Sequence, residues 1–177
     1  MRIMNIENRL HLLVDDQVID VETASDGLFP ADVQSVYGRW EEFRRWFDTT
    51  RPAGGSPVPE RGAGAPVPDP RQIFAIGLNY KDHAQESGLE LPFTPMVFTK
   101  FPAAVAGPYD TIELPAGSVD FEVELVAVIG RRAHRVEEAD GWSYVAGLTV
   151  GQDLSERDLQ LQPPAPQQYN LAKSFTG

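Results

Sequence analysis

The sequence contains no cysteine. That excludes disulfides, thiolate nucleophiles and the Cys-rich kind of zinc centre. Long apolar runs are also missing. The longest extend over a few residues, against the ~20 needed to cross a bilayer, so no membrane partner is expected. The opening MRIMNIENRL lacks the apolar stretch of a secretory signal. Positive charge is scarce: 15 Lys and Arg face 26 Asp and Glu, a net charge of −11. Such a surface excludes nucleic acid or an anionic membrane as the main partner, because phosphate binding needs a basic face. Lysine is rarest of all, at Lys81, Lys100 and Lys173 alone. What is present is ordinary: 42% hydrophobic and 23% charged residues argue against wholesale disorder. A length of 177 residues predicts one domain, or one with a small appendage. A soluble, cytoplasmic protein is the expectation.

Composition changes abruptly at residues 52–70, where six Pro and four Gly fall in nineteen positions. Proline removes backbone donors and glycine raises the entropy cost of order, so neither a helix nor a central strand fits there. The stretch reads as a linker between a small N-terminal α+β unit, residues 1–51, and a longer β-rich unit, residues 71–177. In the first, Arg9 to Val14 and Val18 to Val21 flank the polar turn Asp15-Asp16-Gln17, a hairpin pattern. Val33, Val36, Tyr37, Trp40, Phe43 and Phe47 follow at helical spacing, with Pro30 suited to a first turn. In the second unit, residues 73–78, 96–100, 121–129 and 144–150 read as strands. Residues 79–87 read as a short helix ended by Gly88. Another begins at Ser155 and stops at Pro163-Pro164.

Three stretches and one lysine carry chemistry. In residues 119–130 side chains alternate between faces, so Asp120, Glu122 and Glu124 share one face. Val126 and Val128 continue that face, and Phe121, Val123, Leu125, Ala127 and Ile129 fill the other, so the far end is apolar on both sides, which predicts a central strand. Carboxylates this close repel, and a hard cation such as Mg²⁺, Mn²⁺ or Ca²⁺ relieves the repulsion through oxygen ligation. The alternative is a solvated acidic edge strand. In residues 151–160 Asp153 closes a strand, Ser155 is placed to cap the next turn, and Arg157 and Gln160 share a helical face. A guanidinium there can clamp a carboxylate by two parallel hydrogen bonds, or be an ordinary surface Arg. In residues 77–86 His83 and Glu86 stand three apart on a helix. A carboxylate beside an imidazole makes a general base, or only an exposed pair. Lys173 lies in a low-polarity segment, where an ammonium can stabilise an enolate or simply face solvent.

These elements occur as Gly-x-Asn-Tyr-x-x-His-x-x-Glu, Asp-x-Glu-x-Glu leading to Ile-Gly, Asp-x-Ser-x-Arg-Asp-x-Gln, and Lys-Ser-Phe, in that order. Together they resemble the fumarylacetoacetate hydrolase family, from Ile73 to the end of the chain. The N-terminal unit resembles that family's small domain more loosely. The resemblance implies a mixed β-sheet or β-roll catalytic domain of α+β class. It implies that Glu122, Glu124 and Asp153 bind Mg²⁺ or Mn²⁺, that His83 and Glu86 form the general-base dyad, and that Lys173 steadies an enolate. Arg157 and Gln160 match residues that hold substrate. The implied reaction is metal-dependent hydrolysis of a C–C bond in a 2-oxo or diketo acid such as an acylpyruvate. Oxaloacetate decarboxylation and isomerisation of an unsaturated 2-hydroxy or 2-oxo diacid would use the same enolate. A non-catalytic metal-binding module is the rival of another class. The resemblance also implies a homodimer. Members of the family continue past the Lys-Ser-Phe to a Gly-Thr-Pro loop that this sequence does not contain, so a C-terminally truncated chain is expected.

Overall fold

Two tight turns set the register of the N-terminal strands. Glu7 and Asn8 (φ 52° and 61°), then Asp15 and Asp16 (φ 47° and 60°), all take left-handed conformations. Paired left-handed residues make the turn whose twist matches an antiparallel hairpin, and Asn and Asp tolerate that region best among residues with a side chain. The computed structural model describes residues 1–86, 88, 90–163 and 167–175. Its strands are β1 (Arg2–Ile6), β2 (Arg9–Val14), β3 (Gln17–Asp20), β4 (Ser56–Pro57), β5 (Ala63–Gly64), β6 (Ile73–Gly77), β7 (Met96–Lys100), β8 (Val119–Asp120), β9 (Val123–Ile129), β10 (Val145–Gln152) and β11 (Ser155–Glu156). Its α-helices are α1 (Val21–Ala24), α2 (Trp40–Thr50), α3 (Lys81–Glu86), α4 (Arg157–Leu161) and α5 (Tyr169–Ala172). The class is α+β, as expected. No helix among the described residues is long and apolar enough to cross a membrane.

The chain packs as two units that interleave in sequence. The first comprises Met1–Asp69, Ala106–Thr111 and Val123–Gln152. Its five-stranded sheet has the order β4-β3-β2-β1-β5. The Pro/Gly-rich stretch supplies both edge strands, where a residue without an N–H is tolerated. Leu10, Leu12, Ile19, Val21, Phe29, Val33, Val36, Trp40 and Phe43 form one buried cluster. The expected helical face is present but divided. A 3-10 helix, Gln34–Arg39, precedes α2, and Arg51 ends α2 in a left-handed conformation with its N–H on the Phe47 carbonyl. A second 3-10 helix of this unit spans Glu138–Tyr144.

In the same unit β9 pairs antiparallel with β10, Leu125 opposite Val150 and Ala127 opposite Leu148. The expectation that β9 is central, apolar and buried on both sides does not hold among the described residues. It pairs with β10 alone, and Val123, Leu125, Ile129, Leu148 and Val150 are each more than half exposed. Alternation identifies an apolar face without specifying what covers it.

The second unit comprises Pro70–Val105, Ile112–Glu122 and Asp153–Gly177. β6 and β7 form one antiparallel pair, and β8 and β11 another, with Asp120 opposite Ser155. Among the described residues its buried ones are mostly polar: Asp153, Ser155, Glu156, Gln160 and Lys173, with Ala84 and Ala172. This unit is organised around charge. Ser87, the last residue of the helix expected from the sequence, Pro164 and the last two residues lie outside the described residues.

Candidate active site

Backbone pairing brings the first two acids together. The Asp153 N–H donates to the Glu122 carbonyl at 2.8 Å, so the two residues face each other across antiparallel chains with their side chains on one face. Two like charges held that way need a cation between them. Lys173 supplies it. Its Nζ donates to Glu122 Oε2 at 2.9 Å, Asp153 Oδ2 at 2.9 Å and Ser155 Oγ at 2.6 Å, and its side chain is only 3% exposed. All three hydrogens of the ammonium thus have acceptors, which is the condition for burying a charge. The Ser155 hydroxyl passes its own hydrogen to the Asp153 carbonyl at 3.0 Å.

The arrangement continues on both sides. Arg157 reaches Glu122 Oε1 at 2.7 Å and Asp120 Oδ2 at 2.8 Å, and donates to Gln160 Oε1 at 2.9 Å. The predicted shared face of Arg157 and Gln160 is therefore present. Burial pulls Arg157 down, but Asp120 and Glu122 outweigh it and hold the guanidinium above its ordinary value. Asp120 in turn is held below its ordinary value by Arg157 and by the Phe121 N–H. At the far end Lys100 donates to Asp153 Oδ1 at 2.6 Å and to the Lys173 carbonyl. Asp120, Arg157, Glu122, Lys173, Asp153 and Lys100 thus alternate in sign, three acids against three bases.

Helix α4 presents Arg157 and Gln160 because its first turn is capped. The cap is Glu156, not Ser155: its carboxylate accepts from the Asp158 N–H at 3.0 Å and the Leu159 N–H at 2.7 Å. The Leu159 N–H is the main cause of a carboxyl held below its ordinary value, assisted by the Asp158 and Ser118 N–H groups. Ser155 is released from capping for its contact with Lys173.

The other expected residues lie as follows. Glu124 sits half-buried on β9 of the first unit, opposite Gly151. His83 and Glu86 are exposed on α3, and among the described residues neither is bonded to Glu122, Asp153 or Lys173. No three acidic or imidazole side chains gather into a metal-holding set among the described residues. Lys100 and Ser155 were not among the site residues expected from the sequence. The signals available were lysine scarcity, with Lys100 closing a predicted strand, and the position of Ser155 two residues past Asp153.

A polar cluster built from the ends of short antiparallel strands, in an α+β chain, is an arrangement that known proteins share. The family described as fumarylacetoacetate (FAA) hydrolase C-terminal matches residues 72–177. The chain belongs to the fumarylacetoacetate hydrolase family. A fumarylacetoacetate hydrolase domain-containing protein 2 homolog of Dictyostelium discoideum is 39% identical over 172 residues, covering 94% of this chain and 56% of that protein. The mitochondrial oxaloacetate tautomerase Fahd2a of Rattus norvegicus is 43% identical over 113 residues, 63% of this chain and 36% of that protein. A crystal structure of a putative HpcE protein from Mycobacterium smegmatis superposes with a TM-score of 0.89 at 52% identity, covering all of this chain and 63% of that one. A maleylpyruvate hydrolase from Sphingobium sp. SYK-6, crystallised with manganese and pyruvate, shares the fold with a TM-score of 0.75 at 23% identity, over 99% of this chain and 63% of that one. This chain thus spans between about a third and two thirds of the length of these proteins.

Proposed function

We propose that this chain carries the enolate-stabilising part of a divalent-metal-dependent enzyme acting on 2-oxo acids. The observation that carries the reading is the buried Lys173 ammonium, aimed by Glu122, Asp153 and Ser155 within the family's own motifs. When a 2-oxo acid loses a proton from the carbon beside its carbonyl, negative charge develops on the carbonyl oxygen. A buried ammonium held close by stabilises that charge electrostatically, and it hydrogen-bonds the new oxygen when Glu122, Asp153 or Ser155 releases one of its three hydrogens.

The donor chemistry suits a metal ion. Glu122 and Asp153 offer hard anionic oxygens that already share one cation, the Lys173 ammonium, and Glu124 joins them by family resemblance. When bound, Mg²⁺ or Mn²⁺ (or Ca²⁺) would supply Lewis-acid polarisation of the 2-oxo group. Arg157, steadied by Asp120 and Gln160, is assigned the substrate carboxylate. His83 and Glu86 are assigned the proton taken from carbon.

The reaction we favour is keto–enol exchange of a 2-oxo diacid such as oxaloacetate: a proton leaves carbon, the electron pair moves to oxygen, and oxygen is protonated. The name of the Rattus norvegicus relative supports this substrate. Hydrolytic C–C cleavage of a diketo acid is the second reading, favoured by the His83–Glu86 spacing on α3, which suits activation of water. Decarboxylation and diene isomerisation would share the enolate. A homodimer in the cytoplasm completes the proposal.

The test follows enol absorbance of oxaloacetate with Mn²⁺, and pyruvate release from an acylpyruvate. Lys173→Met should slow whichever reaction the parent performs by ~10²–10³-fold, the usual effect of removing an oxyanion donor. A parent that accelerates neither reaction, or a Lys173→Met variant at full rate, overturns the reading.

A further inference from the structure

We propose that Lys100 is a positioning residue of this site: it fixes the orientation of Asp153 and anchors Lys173 from behind. The inference deepens the reading above and rests on it for the role of Lys173.

Lys100 closes β7 and sends its ammonium two ways, to Asp153 Oδ1 at 2.6 Å and to the carbonyl of Lys173. Lys173 approaches the same carboxylate from the other side, at Oδ2. The two oxygens of Asp153 are therefore divided between two lysines, and only Oδ2 faces Lys173. A carboxylate pinned at one oxygen cannot rotate to offer the other.

The second contact has its own logic. Lys173 is the C-terminal cap of α5, where the last carbonyls of a helix lack partners within it. Lys100 satisfies one of them and complements the negative end of the helix. Lys173 is thereby held at both ends, its carbonyl by Lys100 and its Nζ by Glu122, Asp153 and Ser155. A lysine side chain loses much rotational freedom on being fixed. Here that loss precedes substrate binding, which is what preorganisation requires.

The contact is not what docks α5 on β7. The Thr99 N–H donates to Asn170 Oδ1 at 3.2 Å and the Phe101 N–H to Ser174 Oγ at 2.9 Å. These bonds flank Lys100 and remain when its side chain is replaced. Loss of the ammonium should therefore loosen Lys173 without releasing the helix.

Because the chain has only three lysines, the experiment carries its own reference. The 177-residue protein and its Lys100→Met variant are treated briefly with acetic anhydride, and acetylation of Lys173 is measured by mass spectrometry relative to exposed Lys81. We expect Lys173 to be strongly protected in the parent and its relative rate to rise ~10-fold in Lys100→Met, with the thermal midpoint little changed. A rise of threefold or more supports the proposal and a smaller one overturns it. If Lys100→Met has no cooperative thermal transition, Lys100→Gln carries the same test with the same threshold. Kinetics give the catalytic half: kcat should fall ~10-fold with KM within threefold, and an unchanged kcat overturns the positioning role. A parent inactive on 2-oxo acids would remove the proposed function alone, since the acetylation result still decides what Lys100 does.

Discussion

At Asp20 two opposing effects meet. Burial pushes its carboxyl up, but Arg9 Nε at 2.8 Å and the Thr23 N–H at 2.9 Å outweigh it and hold it at about 2, against an ordinary 3.8. A carboxylate depressed in the folded state contributes stability above its unfolded pKa and loses it as pH falls through the folded one. We therefore expect Asp20→Asn, which can still cap α1, to melt below the parent at pH 6. The gap should close between pH 4 and pH 2 in thermal melts. A gap independent of pH would mean that the charge contributes nothing. In the second unit, alternation put Asp120 and Glu122 on one face and helical spacing put Arg157 and Gln160 on another, while the grouping of Glu122 with Asp153 and Lys173 came from the family resemblance and not from any period. All of these left Lys100 and the contact of Ser155 unread. Which of several acceptors a long flexible lysine selects depends on the packing of distant segments, and no local period encodes it.

Elements were legible where the pattern was strong. β2, β3, β6, β7, β9 and β10 all show as alternation or as short apolar runs bounded by turns. β1 was not read, because Arg2 and Asn5 interrupt it. Asn5 is nevertheless buried, its Nδ2 donating to the Ala65 carbonyl at 2.9 Å. The start of α2 was obscured by Gly38, which lies in the 3-10 segment. The cap of α4 was misread by one residue, since both Ser and Glu can accept from a first turn and only the fold chooses. That cap yields a prediction. Gly117 has φ +124°, and a Cβ there would run into the Glu156 carboxylate. Gly117→Ala should therefore disturb the cap and, through α4, the aim of Arg157. Losing a helix cap costs ~1 kcal/mol, and left-handed strain adds to it. The thermal midpoint should drop by several degrees and KM for a 2-oxo acid should rise, while Gly141→Ala, with open space around its Cβ, serves as the neutral control.

For the whole molecule, the face formed by Val123, Leu125, Ile129, Leu148 and Val150 decides solution behaviour. Contiguous exposed apolar surface of this kind marks an interaction site or an aggregation hazard. We expect light scattering at micromolar concentration to give twice the 19.6 kDa chain mass, and Leu125→Lys to shift the population towards monomer. A parent that is purely monomeric would end the homodimer proposal. The alternating series from Asp120 to Lys100 has a further consequence. Its three acids and three bases cancel, so the whole net charge of −11 resides on the rest of the surface. In the metal-free chain a dicarboxylate approaching the site meets a repulsive field with no local excess of positive charge to focus it. Collisions should then be slowest in dilute buffer. Raising potassium chloride from 10 to 150 mM shortens the Debye length from ~30 to ~8 Å, and the association rate constant for oxalate with the metal-free protein, measured by stopped flow, should increase where most anion-binding enzymes would show a decrease.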